Sequence, residues 1–171
     1  MKLIFYVTYV AVDTDGIRKL PHEERLEKLT EIFHNSENEA ERWDAVWMSG
    51  ELAEETGLKG PVFEKIGVLL AWALKHDDNS IVRHEISYQI AGRGYHQHIP
   101  DLIESAIHDK SPLVRHESCE CLSIIHAQDA KPHVEKLLND SDEIVRETAQ
   151  FVLKRMERTK DKEYDRMLSS F

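Results

Sequence analysis

Apolar residues recur along this chain at helical spacing, not at the alternation of strands. Leu26, Leu29, Ile32 and Phe33 form one stripe, and Phe63, Ile66, Leu69, Leu70 and Leu74 a second. Ile99, Leu102, Ile103, Ala106 and Ile107 form a third, and Val134, Leu137 and Leu138 a fourth. The i, i+3, i+4, i+7 pattern predicts helices with one buried face. After each stripe comes a short polar turn, then a second helical segment with an arginine near its start: Arg42, Arg83, Arg115 and Arg146. Four residues before each arginine stands Asn38, Asn79, Ser111 or Asp142. Each has a side-chain oxygen able to accept a free N–H of the first helical turn. Pro112 falls at the first helical position, where no N–H is needed. Asp77, Asp109 and Asp140 lie two residues before a cap, placed to pair with the arginine across the corner.

The unit is therefore helix, tight turn, helix, and it repeats. The arginine-to-arginine interval is 41 residues, then 32, then 31, the longer first one holding Gly57, Gly60 and Pro61. One such pair cannot bury its apolar stripe alone, whereas stacked pairs bury a continuous core. The expected fold is all-α: an α-solenoid of about four HEAT-type helix-pair repeats over residues 23–158. Residues 1–22 are expected to form a short N-terminal apolar arm or strand, and residues 159–171 a helix extension or tail. Trp43, Trp47 and Trp72, at helical positions, are expected in the core.

Composition narrows the function classes. A net charge of −10 argues against a phosphate-binding surface, so no nucleic acid is expected. The opening apolar run is too short to span a bilayer and lacks a cleavage pattern, so no membrane partner is expected. Cys119 and Cys121, two apart on one helix, point to different faces and are not expected to form a disulfide. A reducing, cytoplasmic setting is expected.

Two of the four second helices carry the same four residues: Val82-Arg83-His84-Glu85 and Val114-Arg115-His116-Glu117. The fourth copy keeps Val145-Arg146 but continues Glu147-Thr148, and the first continues Arg42 with Trp43-Asp44. Valine and arginine thus belong to the repeat, while the His-Glu pair does not. Neighbouring second helices lie roughly parallel, about 8–10 Å apart, so in-register residues point the same way. Two imidazoles and two carboxylates near one another suit iron, manganese or zinc. Plain duplication of a segment is the bland alternative. Tyr88, one turn after His84, is a candidate catalytic residue for the same cavity, and Cys119, one turn after His116, a candidate lining residue. His96 and His98 read as solvated loop residues, and His126 and His133 as surface. The absence of a histidine at position 88 excludes the His-Glu-x-x-His zinc-protease pattern.

The stretch from Phe63 to Met156 resembles one half of deoxyhypusine hydroxylase, a family of HEAT-repeat di-iron proteins with four His-Glu motifs, two per half. The matching pieces are IVRHEISYQIAGRG, IPDLIESAIHDKSPLVRHESCECLSII and EIVRETAQFVLKRM. The resemblance implies metal-ligand roles for His84, Glu85, His116 and Glu117, an iron cofactor and a hydroxylation reaction. This chain has two motifs where the family has four. That departure leads to an expected homodimer, in which two copies complete a di-iron site. A protein substrate with a lysine-derived side chain fits both the resemblance and the acidic charge. The competing readings are a non-catalytic interaction scaffold and a metal site serving hydrolysis or storage.

Overall fold

A computed structural model of the chain describes residues 12–158. Helix α1 (Thr14–Arg18) precedes four helix pairs: α2 (His22–Asn35) with α3 (Glu39–Glu55), α4 (Gly60–His76) with α5 (Ser80–Gly92), α6 (Ile99–His108) with α7 (Pro112–Ile124), and α8 (Lys131–Leu137) with α9 (Glu143–Arg158). The second helices stack in order, α3 on α5, α5 on α7 and α7 on α9, and the first helices back them. The core lies between the layers. Leu29, Ile66, Leu70, Leu102 and Val134 enter it from the first helices, and Val46, Ile86, Ile90, Leu122, Val145 and Val152 from the second. Among the described residues the chain is helical and without strands, as the periodicity predicts. No helix among them is long and apolar enough to cross a membrane.

The second helices start as their caps predict, with one exception. Asn38 accepts from Ala40 N–H, Asn79 from Ile81 and Val82 N–H, and Asp142 from Ile144 N–H. Ser111 occupies the cap position but its side chain makes no capping bond. The Val114 N–H instead donates to the backbone carbonyl of Ser111, at 3.1 Å.

The arginines do not pair with the aspartate of their own corner. Arg42 grips Asp77, Arg83 grips Asp109 and Arg115 grips Asp140, each carboxylate belonging to the following repeat. The shortest contact in each pair is 2.7 Å. Toward its own corner each arginine instead donates to a backbone carbonyl: Ser36 O, Asp77 O, Asp109 O and, for Arg146, Asp140 O. Asp77, Asp109 and Asp140 also accept the N–H two residues on, which shapes the turn. A guanidinium presents five N–H groups in a fixed fork, so it can hold a carbonyl and a carboxylate at once. The expected contact within each corner is thus replaced by a ladder between repeats.

Residues 12–22, expected within an arm or strand, hold α1. Asp13 accepts from Gly16 N–H, Ile17 is buried, and Arg18 forks onto Glu51 at 2.7 and 3.0 Å. Residues 1–11 of the expected arm and the expected tail at 159–171 lie outside the described residues. The tryptophans also depart from expectation. Trp43 is exposed, Trp47 half-buried, and Trp72 half-buried with His34 and His76 stacked on its ring at 4.0 and 4.8 Å. An indole this large rests on the helix surface where the core has no space for it.

Candidate metal centre

The ladder fixes the site. Because Arg83 and Arg115 point into the inter-repeat contact, the two residues after each arginine sit beside it at the edge of the stack. His84 Nδ1 lies 3.3 Å from Glu85 Oε1, its sequence neighbour, and His84 Nε2 lies 3.2 Å from Glu117 Oε2 on the next repeat. His116 follows the same rule: its Nδ1 lies 2.5 Å from Thr148 Oγ1, again one repeat on. So the residue after the arginine reaches the second residue after the arginine of the following repeat. The histidine and glutamate of a motif are adjacent in sequence, yet the pairing that knits the site runs between motifs.

Glu117 is the hub. A ring nitrogen of His116 and one carboxylate oxygen each from Glu117 and Glu120 lie within 4.8 Å of one another, while His84 holds the other side of Glu117. The side chain of Glu117 is 12% exposed. Burial pushes its carboxyl upward, but His84, the Cys121 thiol and the charge of His116 outweigh that and hold it below the usual carboxylate range. The Glu117 carboxylate in turn raises the His84 imidazole above its ordinary value, with Glu85 adding to it and burial opposing. The two shifts have one cause, the 3.2 Å contact between His84 Nε2 and Glu117 Oε2, which favours the charged form of both.

The structure thus sets His84 of α5 between Glu85 and Glu117, and groups His116 and Glu117 of α7 with Glu120. Glu120 was not foreseen. Its signal was the run His116-Glu117-x-x-Glu120, which places Glu120 four residues after the histidine and on its helix face. The matching position in α5 is Tyr88. That ring is exposed and tilts against Trp47, 6.5 Å away on α3, with no hydrogen bond to the His-Glu cluster. Cys119 does not line the site: it is fully buried, and burial pushes its thiol up to about 12. Cys121 touches the site instead, with Sγ 3.6 Å from Glu117 Oε1, and burial raises its thiol as well. His98 is no solvated loop residue either. Its side chain is largely buried, with Nδ1 2.8 Å from Asp101 Oδ2. His96 and His126 are exposed as expected, whereas His133 is half-buried.

The donor set fits a metal. His116, Glu117 and Glu120 each bring one ligand atom within 4.8 Å of the others, with His84 and Glu85 beside them, and imidazole with carboxylate is donor chemistry suited to iron, manganese or zinc.

Comparison with known proteins agrees with the architecture. The family model for HEAT repeats matches residues 68–154. Curated relatives named deoxyhypusine hydroxylase match from Eremothecium gossypii, 36% identical over 78 residues, covering 45% of this chain and 24% of that protein. The Candida albicans relative is 30% identical over 129 residues, covering 73% and 37%. The Saccharomyces cerevisiae relative is 26% identical over 147 residues, covering 81% and 45%. The chain therefore spans less than half the length of each of these. The structure of human deoxyhypusine hydroxylase in complex with glycerol superposes with a TM-score of 0.67 at 22% identity, over 81% of this chain and 46% of that one, a likeness of fold. The chain belongs to the HEAT-repeat family and is related to deoxyhypusine hydroxylase.

Proposed function

We propose that this chain is one half of a di-metal hydroxylase, completed by a second copy of itself. The observation that carries the reading is the convergence of His84 and His116 on Glu117, with Glu85 and Glu120 alongside. These five residues would hold the metal, with iron the expected ion. When bound, iron would supply the oxygen activation that carbon hydroxylation needs. The chain's own part is to fix the ligand atoms through the Arg–Asp ladder and to keep the inner wall dry with the buried Cys121 and Leu122.

A second row supports the dimer. Ile81, Leu113 and Ile144 each lie two residues before an arginine, one per repeat, and are 55%, 40% and 51% exposed. Ile81 and Leu113 stand three residues before His84 and His116, so the apolar row borders the centre on its own helices. A two-fold contact across this row would face two half-sites toward each other. Glu85, Glu117 and Glu120, in a chain of charge −10, suit a cationic substrate such as a lysine-derived side chain on a protein. A cytoplasmic, reducing setting suits the free buried thiols.

The deciding experiment is anaerobic loading with iron(II), manganese(II) or zinc(II), with metal per chain and molecular mass read together. The reading expects about one metal per chain and loss of it in the double variant His84→Ala/His116→Ala. Unchanged metal content in that variant, or almost none in the wild type, sinks it. The second outcome would favour the interaction scaffold, for which the same exposed apolar row is the binding face.

A further inference from the structure

One ring nitrogen of His116 is committed before any metal binds. Its Nδ1 lies 2.5 Å from Thr148 Oγ1. That hydroxyl oxygen also lies 2.7 Å from the carbonyl of Ile144, one turn back in α9. A hydroxyl has a single proton, and a carbonyl can only accept one. Donation from Thr148 to Ile144 satisfies both contacts, because the oxygen's remaining lone pair then accepts from His116 Nδ1–H. The reverse assignment, with Thr148 donating to Nδ1, leaves two oxygens at 2.7 Å with no hydrogen between them. The Ile144 carbonyl already accepts the Thr148 backbone N–H within α9, so what disfavours the reverse assignment is the contact of two lone pairs at that distance, beside a side chain only 7% exposed.

We propose that Thr148 is a positioning residue for His116: it fixes the proton on Nδ1 and leaves Nε2 as the nitrogen with a free lone pair. Neutral histidine in solution favours the opposite tautomer, so the hydroxyl does work that the ring's own preference does not. The use of Nε2 as a ligand rests on the metal reading above, whereas the position of the proton does not. The sequence register sharpens the point. Thr148 occupies the repeat position held by Glu85 and Glu117 in the two middle copies. A glutamate there would also accept from Nδ1–H, but it would bring a further negative charge beside Glu117 and Glu120. A threonine supplies an acceptor and no charge. The fourth copy's departure from Val-Arg-His-Glu is then a working part of the site, and not a lapsed repeat.

The test uses the full chain, metal-free, with nitrogen-15-labelled histidine, read by long-range proton–nitrogen NMR in the neutral imidazole range. His116 signals are assigned by their loss in His116→Gln. The expected result is Nδ1–H in the wild type and in Thr148→Ser, and loss of that preference in Thr148→Val, which keeps the side-chain shape. Zinc(II) competition titrations on the same proteins should show about 10–100-fold weaker binding in Thr148→Val and near-wild-type binding in Thr148→Ser. Nε2–H in the metal-free wild type, or the same tautomer in Thr148→Val, overturns the proposal. A wild type that holds Nδ1–H yet binds no zinc overturns the ligand reading while the hold of Thr148 on the proton stands.

Discussion

Glu117 does at residue scale what no single motif does alone: it faces histidines from two repeats. His84 lies 3.2 Å from it, His116 and Glu120 lie on its other side, and Cys121 reaches it from the core. Glu85, by contrast, meets only its neighbour His84. The two glutamates read alike in the sequence but are not equivalent in the site. Glu117→Gln is therefore expected to weaken zinc(II) or iron(II) binding at or beyond the top of the ~10–100-fold range seen when supporting partners are lost, and Glu85→Gln by less. Competition titrations of the two variants side by side check this, and equal losses would count against a Glu117-centred site. Nothing in the order of residues 82–85 and 114–117 separates them, because the difference arises from which repeat lies next to each.

At the scale of elements, the ladder converts four similar helix starts into one stack. Arg115 and Asp140 are both largely buried and share two hydrogen bonds of 2.9 and 2.7 Å. The Arg115 guanidinium holds the Asp140 carboxyl below the usual carboxylate range, against burial, with the Asp142 N–H helping. Asp140→Asn should cost about 2 to 3 kcal/mol at neutral pH, because it leaves a buried guanidinium short of its counter-charge. The pH dependence has a definite sign. A carboxylate with a lowered folded pKa stabilises fully above its unfolded value of about 4, and that contribution is lost as the pH falls through the folded value. The stability gap between wild type and Asp140→Asn should therefore be widest near neutrality and close below about pH 4, as denaturant unfolding at each pH would reveal. Helix α4 offers a second test at this scale. By intrinsic propensity, Gly67→Ala in a helix interior should stabilise by about 1 kcal/mol. Here the added carbon would lie 2.6 Å from Tyr95 Cδ1, on a fully buried ring stacked against Phe63 at 4.3 Å. The ring has nowhere to move, so the substitution is expected to destabilise by about 1–3 kcal/mol, and a raised melting temperature would contradict that packing.

At the scale of the whole molecule, four stacked pairs align one edge of the second helices into a His-Glu patch bordered by Ile81, Leu113 and Ile144. Leu113→Asp puts a charge in the middle of that row without touching a ligand. It is expected to leave the helical content unchanged and to shift the loaded protein from dimer to monomer, as sedimentation or mass photometry would read. A dimer that persists places the two-fold contact elsewhere. The helices, their four-fold repetition and the register of Val-Arg-His-Glu were legible in the sequence alone. They follow from apolar spacing and capping residues, which act within one or two turns of backbone. That the two His-Glu pairs fall beside one another was legible for the same reason, since residues in register on stacked repeats share a direction. The partners were decided only by tertiary structure: Asp77 meets Arg42 and not Arg83, Glu117 meets His84, and Thr148 takes the Nδ1 of His116. Those pairings depend on the offset and rotation of each repeat against the next. That geometry is set by how buried side chains such as Ile86, Leu102, Leu122 and Val145 fill the space between layers, and no local pattern encodes it.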